Sequence, residues 1–291
     1  MNNFISVVIP TSCRTISILN NAVQSVKEQS LPVYEIIIVD DNNDNTLSQN
    51  IILYCQGNNL IYAASGNAGA AVARNVGINI AKGTYVAFLD DDDVWLSNKL
   101  QMQMPLFSAP DVGLVYSRGY TVKTNNSENA LTEPYATDRY YKTEVHYNDL
   151  LEKNYIGTTS QLVVRRSVLM QINGFDESLP SRQDYDLCLR IARHYRCVGV
   201  DDHLFLHYIH GKNQITANAN INMKGYQLLF QKYKSDIYQI KEAPRKWYCR
   251  IARWALASSS YAIFINYLFL AISDNPHKIK ETIKKCFEQT K

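Results

Sequence analysis

The chain has 291 residues, 46% hydrophobic and 20% charged, which is enough apolar chain to bury a core and excludes disorder for the bulk of it. A net charge of +3 excludes the strongly basic balance of a nucleic-acid binder. The charge is also uneven: from Lys241 to Lys291 ten Lys or Arg face four Asp or Glu, so this basic tail carries +6 and the rest about −3.

In chain order, "FISVVIP" reads as a strand over 5 to 10 where a signal peptide would need a basic stretch and a longer apolar run, so a cytosolic chain is expected. The six cysteines at 13, 55, 188, 197, 249 and 286 form no C-x-x-C pair, which predicts reduced thiols instead of a zinc site or disulfide framework. Ile16, Leu19, Val23 and Val26 follow at helical spacing, and Pro32 ends that helix. "EIIIVDD" (35 to 41) is a second buried strand, "NNDNT" a polar turn, and "LIYAA" (60 to 64) a third strand. "GNAGAAVARNVGINIAKG" is helical by its Val72, Val76 and Ile80 stripe, with Gly83 as C-cap. Its glycines lack the G-x-G-x-x-G fingerprint after the first strand, so its small residues predict close helix packing. "TYVAFL" is the fourth strand and runs straight into Asp90, Asp91, Asp92 and Asp93.

This β-α-β-α order implies right-handed crossovers and a parallel sheet covered on both faces. Ligands of such sheets sit outside the carboxyl ends of the strands. Pro10-Thr11, Asp40-Asp41 and Asp90 to Asp93 stand at those ends, although Asp40-Asp41 also reads as a turn signal. Four adjacent carboxylates repel one another and need compensating positive charge.

Further on, "DVGLVYSRGYTV" (111 to 122) is a strand, a polar loop runs from Lys123 to about Glu144, and "SQLVVRR" and "SVLMQING" are a strand and a short helix. Leu187, Ile191 and Tyr195 mark a helix beginning near Arg182. Asp186, four residues before Arg190, is expected in a solvated ion pair, which leaves Asp184 for chemistry. His203 and His207 read as structural, an exposed helix position is the plainer alternative for Arg74, and Trp95 reads as either core or donor-pocket wall. From Trp254 to Ser273 twenty residues carry no charge, after Arg245, Lys246, Arg250 and Arg253. That length just permits a membrane span, but the serines and Asn266 within it favour a helix or hairpin packed on the enzyme, with a segment lying on an anionic leaflet as the second reading.

Taken together, "ISVVIPTSCR", "EIIIVDDNNDNT", "GNAGAAVARNVGINIAKGTYVAFLDDDDVW" and "GFDESLPSRQDYDLCLR" resemble family 2 glycosyltransferases over about the first 215 residues. The resemblance implies an α/β GT-A fold: a Rossmann-like, mostly parallel sheet with helices on both faces, followed by a helical C-terminal extension. It implies a transferase domain over 1–220, with a nucleotide-sugar half (1–110) and an acceptor half (111–220), and a basic helical region over 221–291. The implied activity is metal-dependent, inverting transfer of a sugar from a nucleotide-diphosphate donor, UDP on family frequency, to a hydroxyl of a glycan or lipid-linked saccharide. Polysaccharide or lipopolysaccharide biosynthesis is the implied setting, in the cytoplasm or at the inner face of the plasma membrane, with peripheral contact through the basic tail.

Mapped onto this chain, the family's D-x-D motif falls on Asp90, Asp91 and Asp92, with Asp92 as direct ligand of Mn²⁺ or Mg²⁺ and Asp90 nearer the ribose and metal shell. Asp93 then begins the next turn. Asp41 matches the base-reading carboxylate, Pro10 and Thr11 line the nucleotide pocket, and Arg74 matches a basic residue near the donor. The catalytic base falls on Asp184, preceded by Gln183 where the family carries Glu, and His210 matches a residue that holds metal or diphosphate. Gln183 is the departure that keeps open an alternative, a non-catalytic scaffold binding nucleotide sugar or glycan. A phosphorelay receiver domain stays open as a further class, but it would be about half this length and leave "RQDYDLCLR" unexplained.

Overall fold

The computed structural model describes residues 4–123, 135–136, 141–209 and 218–287. Its first half keeps the strands and the two helices read from sequence and adds a third helix, α2, where the sequence reads only as a polar turn: β1 (Ile5–Thr11), α1 (Ile16–Lys27), β2 (Glu35–Asp40), α2 (Asn45–Asn58), β3 (Ile61–Ala64), α3 (Ala70–Ile80) and β4 (Tyr85–Phe88). The next stretch holds β5 (Val94–Trp95), α4 (Lys99–Gln103), β6 (Val112–Lys123), β7 (Tyr135–Ala136), β8 (Glu144–Val145), α5 (Tyr147–Glu152), β9 (Val163–Arg165), α6 (Arg166–Gln171), α7 (Gln183–Ala192) and β10 (Arg196–Ile209). Helices close the chain: α8 (Ala219–Lys232), α9 (Lys234–Ile237), α10 (Ala243–Ala257), α11 (Tyr261–Asp274) and α12 (Ile279–Phe287).

The strands form one sheet in the order β3-β2-β1-β4-β9-β6-β10-β5, with β7 on β6 and β8 on β10. β1, β2, β3 and β4 pair in parallel, as do β6 and β10, while β9 runs antiparallel between β4 and β6. β1, β2 and β4 are apolar and buried on both faces. Ile5, Val7 and Ile9 face one core with α1, and Val8 between them faces the other with α3. Gly77 of α3 lies where a Cβ would overlap the Val8 side chain, so here the glycine does serve close helix packing.

All six cysteines are free thiols. The second core extends from the sheet into the C-terminal helices. Trp247 of α10 is fully buried, stacks on Tyr185 of α7 with ring centroids 5.8 Å apart, and donates its indole N–H to the Leu151 carbonyl. The expected solvated pair of Asp186 and Arg190 is instead a buried hub. The Asp186 carboxylate has no solvent exposure and takes Arg190 Nε at 2.7 Å, Lys232 Nζ at 2.7 Å and Tyr233 OH at 2.8 Å. Spacing gave the intrahelical partner, but α8 and its neighbour supply the other two and remove the water. α10 and α11 form a helical hairpin closed through Ser259 at φ 57°. Among the described residues, no helix is long and apolar enough to cross a membrane.

Candidate active site

The sheet register brings three strand ends together. Val8 of β1 sits beside Phe88 of β4, and Thr11 beside Asp40 of β2, so the residues after β4 emerge next to those closing β1 and β2. Pro10 lies beside Val39 and is half-buried. Thr11 donates from Oγ1 to Asp91 at 2.7 Å. Arg14, in the turn after β1, places one guanidinium nitrogen 2.6 Å from Asp92 and another 3.6 Å from Asp91. From α3, Arg74 reaches Asp90 at 2.6 Å. It is buried over the Phe175 ring, so it is no exposed helix residue.

Two further partners come from far along the chain. Thr159 Oγ1 donates to Asp90 at 3.0 Å, and Ser160 Oγ donates to Asp93 at 2.6 Å. Asp93 closes the expected turn through its N–H to the Asp90 carbonyl, but its carboxylate is buried and lies 3.0 Å from Nδ1 of His207 on β10. His207 therefore belongs to the site.

The four carboxylates differ because their compensation differs. Burial works to raise Asp90, yet the Arg74 guanidinium, Thr159 and His207 hold it below the usual carboxylate range. Burial pushes Asp91 up to about 7, helped by its acidic neighbours and opposed by Thr11 and Arg14. Asp92 is pushed up to about 6 by burial, Asp93 and Asp90. For His207, burial opposes the charge, but Asp93, with Asp90 and Asp92 behind it, lifts the imidazole to about 9. The site thus holds more negative charge than Arg14, Arg74 and His207 neutralise.

Asp41 points its carboxylate into the loop leading to α3, where it accepts from Ser65 Oγ at 2.7 Å, the Ala68 N–H at 2.8 Å and the Gly69 N–H at 3.0 Å. Asp40 takes Tyr62 OH at 3.0 Å and Asn42 Nδ2 at 2.6 Å. Trp95 is buried and donates to the Ser160 carbonyl at 2.9 Å, which is a core role.

Asp184 stands in the first turn of α7, half-buried, with Oδ1 accepting the Tyr185 N–H at 2.8 Å. Burial raises its pKa against Arg182, and Arg74 and Asp90 lie close enough to act on its charge. Asp184 therefore lies within electrostatic reach of the strand-end cluster. The helix start is held from behind: Arg182 sits at φ 65°, bonds Asn222 of α8 at 2.6 Å and stacks on Tyr226 at 4.6 Å. Gln183 turns away, donating to the Leu179 carbonyl at 2.8 Å. His210 lies outside the described residues.

Sequence reading missed Arg14, Thr159, Ser160 and His207. Arg14 was visible in "TSCR", but Thr159 and Ser160 sit in a polar run with no motif, and His207 alternates along a strand like any half-buried residue.

Among the described residues, no three His, Cys, Asp or Glu side chains form a ready metal cage. The carboxylates nonetheless fit a hard divalent cation. Such ions bind through one or two carboxylates while phosphate oxygens and water fill the rest, and raised Asp91 and Asp92 are oxygens short of positive charge.

The glycosyl transferase family 2 profile matches residues 6–172, more than half of the chain. The chain belongs to glycosyl transferase family 2. Among curated relatives it is 25% identical over 193 residues to the Escherichia coli UDP-Glc:alpha-D-GlcNAc-diphosphoundecaprenol beta-1,3-glucosyltransferase WfgD, covering 66% of this chain and 72% of that protein. Among solved structures it is similar to Staphylococcus aureus TarS 1-349 in complex with UDP-GlcNAc, with TM-score 0.66 at 16% identity over 96% of this chain and 83% of that one. It also resembles the mannosyltransferase PcManGT from Pyrobaculum calidifontis in complex with GDP-Man and Mn²⁺, with TM-score 0.60 at 15% identity over 98% of this chain and 87% of that one. The fold is GT-A.

Proposed function

We propose that the chain is an inverting, metal-dependent glycosyltransferase that moves a sugar from a UDP-sugar to a hydroxyl of a glycan or lipid-linked saccharide during surface polysaccharide assembly. The observation that carries this reading is the strand-end Asp90 to Asp93 cluster held by Arg14 and Arg74 in a family 2 chain, with Asp184 within electrostatic reach of Asp90 and Arg74. UDP and the lipid-linked acceptor are taken from the names of WfgD and TarS, and Mn²⁺ or Mg²⁺ from PcManGT and the charge deficit at the aspartates.

In this reading residues 1–110 hold the donor. Asp41 clamps the 65–69 loop that, with Pro10 and Thr11, shapes the nucleotide pocket. Asp92 and Asp90 would hold the cation, with His210 as a further candidate, and the cation supplies charge neutralisation for the leaving diphosphate. Arg74 and Arg14 are the chain's own cations at that position, and each must exchange part of its carboxylate contact for phosphate oxygen. Asp184 takes the acceptor hydroxyl's proton. Its burial raises its proton affinity, which suits a base, and attack from its side of the sugar displaces the nucleotide with inversion. The basic tail makes a peripheral contact with an anionic membrane surface.

Two variants test the roles. Asp184→Asn should keep donor binding and lose transfer by about 10²- to 10⁴-fold, the usual worth of a positioned base. Asp92→Asn should lose the Mn²⁺-dependent part of donor binding. Binding is read by thermal shift: a UDP-sugar at about a hundred times its dissociation constant stabilises by roughly 2.7 kcal/mol, a few degrees here. Normal transfer by Asp184→Asn would remove it as the base. A donor shift without transfer to any acceptor in the wild type would favour the scaffold.

A further inference from the structure

Asp184 follows a connector, residues 172–182, that leaves α6 and reaches α7 through turns and bends. A base works only from a fixed position, so what holds this connector bears on the reaction. Its later part is tied to α8: Ser181 Oγ donates to the Ile221 carbonyl at 3.1 Å, Arg182 bonds Asn222 at 2.6 Å, and Lys232 pairs with Asp176. Its start is tied to α3, the helix that carries Arg74. Asn75 brackets the Phe175 peptide, with Oδ1 accepting the Phe175 N–H at 2.7 Å and Nδ2 donating to the Phe175 carbonyl at 2.9 Å. The second hydrogen of Nδ2 goes to Glu177 Oε1 at 2.8 Å. An amide suits this place because it offers a donor and an acceptor side by side, as a peptide does, whereas a carboxylate only accepts.

The residues on either side tighten the clasp. Gly174 sits at φ 61°, and a Cβ there would overlap Asn75 Oδ1. The buried Phe175 ring lies under the Arg74 guanidinium at 5.5 Å and meets Phe88, the last residue of β4, edge-on at 5.2 Å. From Phe175 the ties run on to the base. The Leu179 N–H reaches the Asp176 carbonyl at 3.4 Å, Gln183 Nε2 donates to the Leu179 carbonyl at 2.8 Å, and Asp184 is the next residue.

We infer that Asn75 is a positioning residue of the transfer reaction: it fastens the segment that carries Asp184 to the helix that sets Arg74 against Asp90. The inference rests on the transferase reading above, with Asp184 as the base, and adds a residue that acts through Phe175 and the connector.

The test places Asn75→Ala and Asn75→Asp in the wild-type and Asp184→Asn chains. UDP release is followed with Mn²⁺, UDP-glucose or UDP-N-acetylglucosamine as donor, and a synthetic lipid-linked N-acetylglucosamine diphosphate as acceptor, following the names of WfgD and TarS. Asn75→Ala should lower kcat by up to about 10²-fold, the scale of an ångström's misplacement, with the donor KM and the UDP thermal shift unchanged. Asn75→Asp keeps the acceptor for the Phe175 N–H and loses both donations, so it should lose less; it carries the comparison if Asn75→Ala does not fold. In the Asp184→Asn chain neither substitution should lower the residual rate further, because the base it positions is already gone. Amide exchange should quicken over 173–185 in Asn75→Ala and stay as in the wild type over β1. An unchanged kcat, an equal loss in both chains, a loss confined to the donor KM, or unchanged exchange over 173–185 would overturn the proposal and leave Asp184 as the base. If the wild type releases no UDP, or if Asp184→Asn transfers normally, the reading beneath falls and the role of Asn75 falls with it.

Discussion

His207 holds its proton through neutral pH because Asp93 outweighs the desolvation of the ring. A histidine raised in this way contributes stability that is complete below its unfolded value of about 6.5 and lost as pH rises through about 9. The melting-temperature gap between wild type and His207→Gln should therefore be widest at pH 6 and close toward pH 10. A gap independent of pH would mean that the pair is not ionic. Asp91 and Asp92 have the opposite effect. Their raised pKa values mean that the fold binds their protons more tightly than the unfolded chain does, so the two groups favour folding at low pH and oppose it as pH rises from about 4 to about 7. A divalent cation relieves that opposition and competes with the same protons. Stabilisation by Mn²⁺ with UDP should be large at pH 8, fade below pH 6 and vanish with chelator. At this scale the sequence announced its carboxylates, because runs and strand ends are visible in one dimension. It did not announce their partners: Thr159 lies 69 residues from Asp90, and His207 114 from Asp93.

Lys99 on α4 is wholly buried, with Gln103 Oε1 at 2.7 Å and the Trp95 ring at 4.1 Å beside it and, among the described residues, no carboxylate in an ion pair with it. Burial drives its pKa well below the usual lysine value, so the folded state binds this proton less tightly than the unfolded chain. The sign runs against stability at neutral pH. The penalty disappears only as pH climbs to the unfolded value of about 10.4. Lys99→Met, of similar length and without the ammonium, should raise the melting temperature at pH 7, and the gain should shrink by pH 10. A loss at pH 7 would show that the Gln103 bond and the contact with Trp95 outweigh the desolvation. Gly77→Val on α3 should do the reverse at every pH, since overpacking against Val8 costs about 1–3 kcal/mol. β1, β2 and β4 were legible because each is a continuous apolar run, and α1 and α3 because each keeps a 3.6-residue stripe, whereas α2, which buries only Ile51 and Cys55, has no stripe and reads as a turn. β9 was legible as a strand but not as the antiparallel insert between β4 and β6, since three residues carry no signal of direction or partner.

At the scale of the molecule, the uncharged tail divides its work between two faces. α10 turns inward, and Trp247 and Ala255 are fully buried, as a packed hairpin requires. α11 keeps an outward row instead: Tyr261, Ile265 and Phe269, each four residues after the last, are 62%, 63% and 66% exposed. α12 repeats the spacing with exposed Ile279, Ile283 and Phe287, and Phe287 packs against the buried Phe264 of α11 with ring centroids 5.3 Å apart. Composition could show the apolar run and the basic excess, but only packing decides which half of the run is left outside. Lys280 and Lys284 stand on the same short helix as the second row, within a segment of +6. Apolar side chains beside lysines are the chemistry of a helix lying at an anionic bilayer surface, where insertion and charge attraction add. The protein should therefore sediment with phosphatidylglycerol vesicles, sediment poorly with phosphatidylcholine, and dissociate as salt rises. Ile265→Glu with Phe269→Glu should release it without lowering the melting temperature, because neither side chain supports the core. If the double variant instead changes a dimer into a monomer while vesicle binding is absent from the wild type, the patch is an interface between copies of this chain and the membrane contact is wrong.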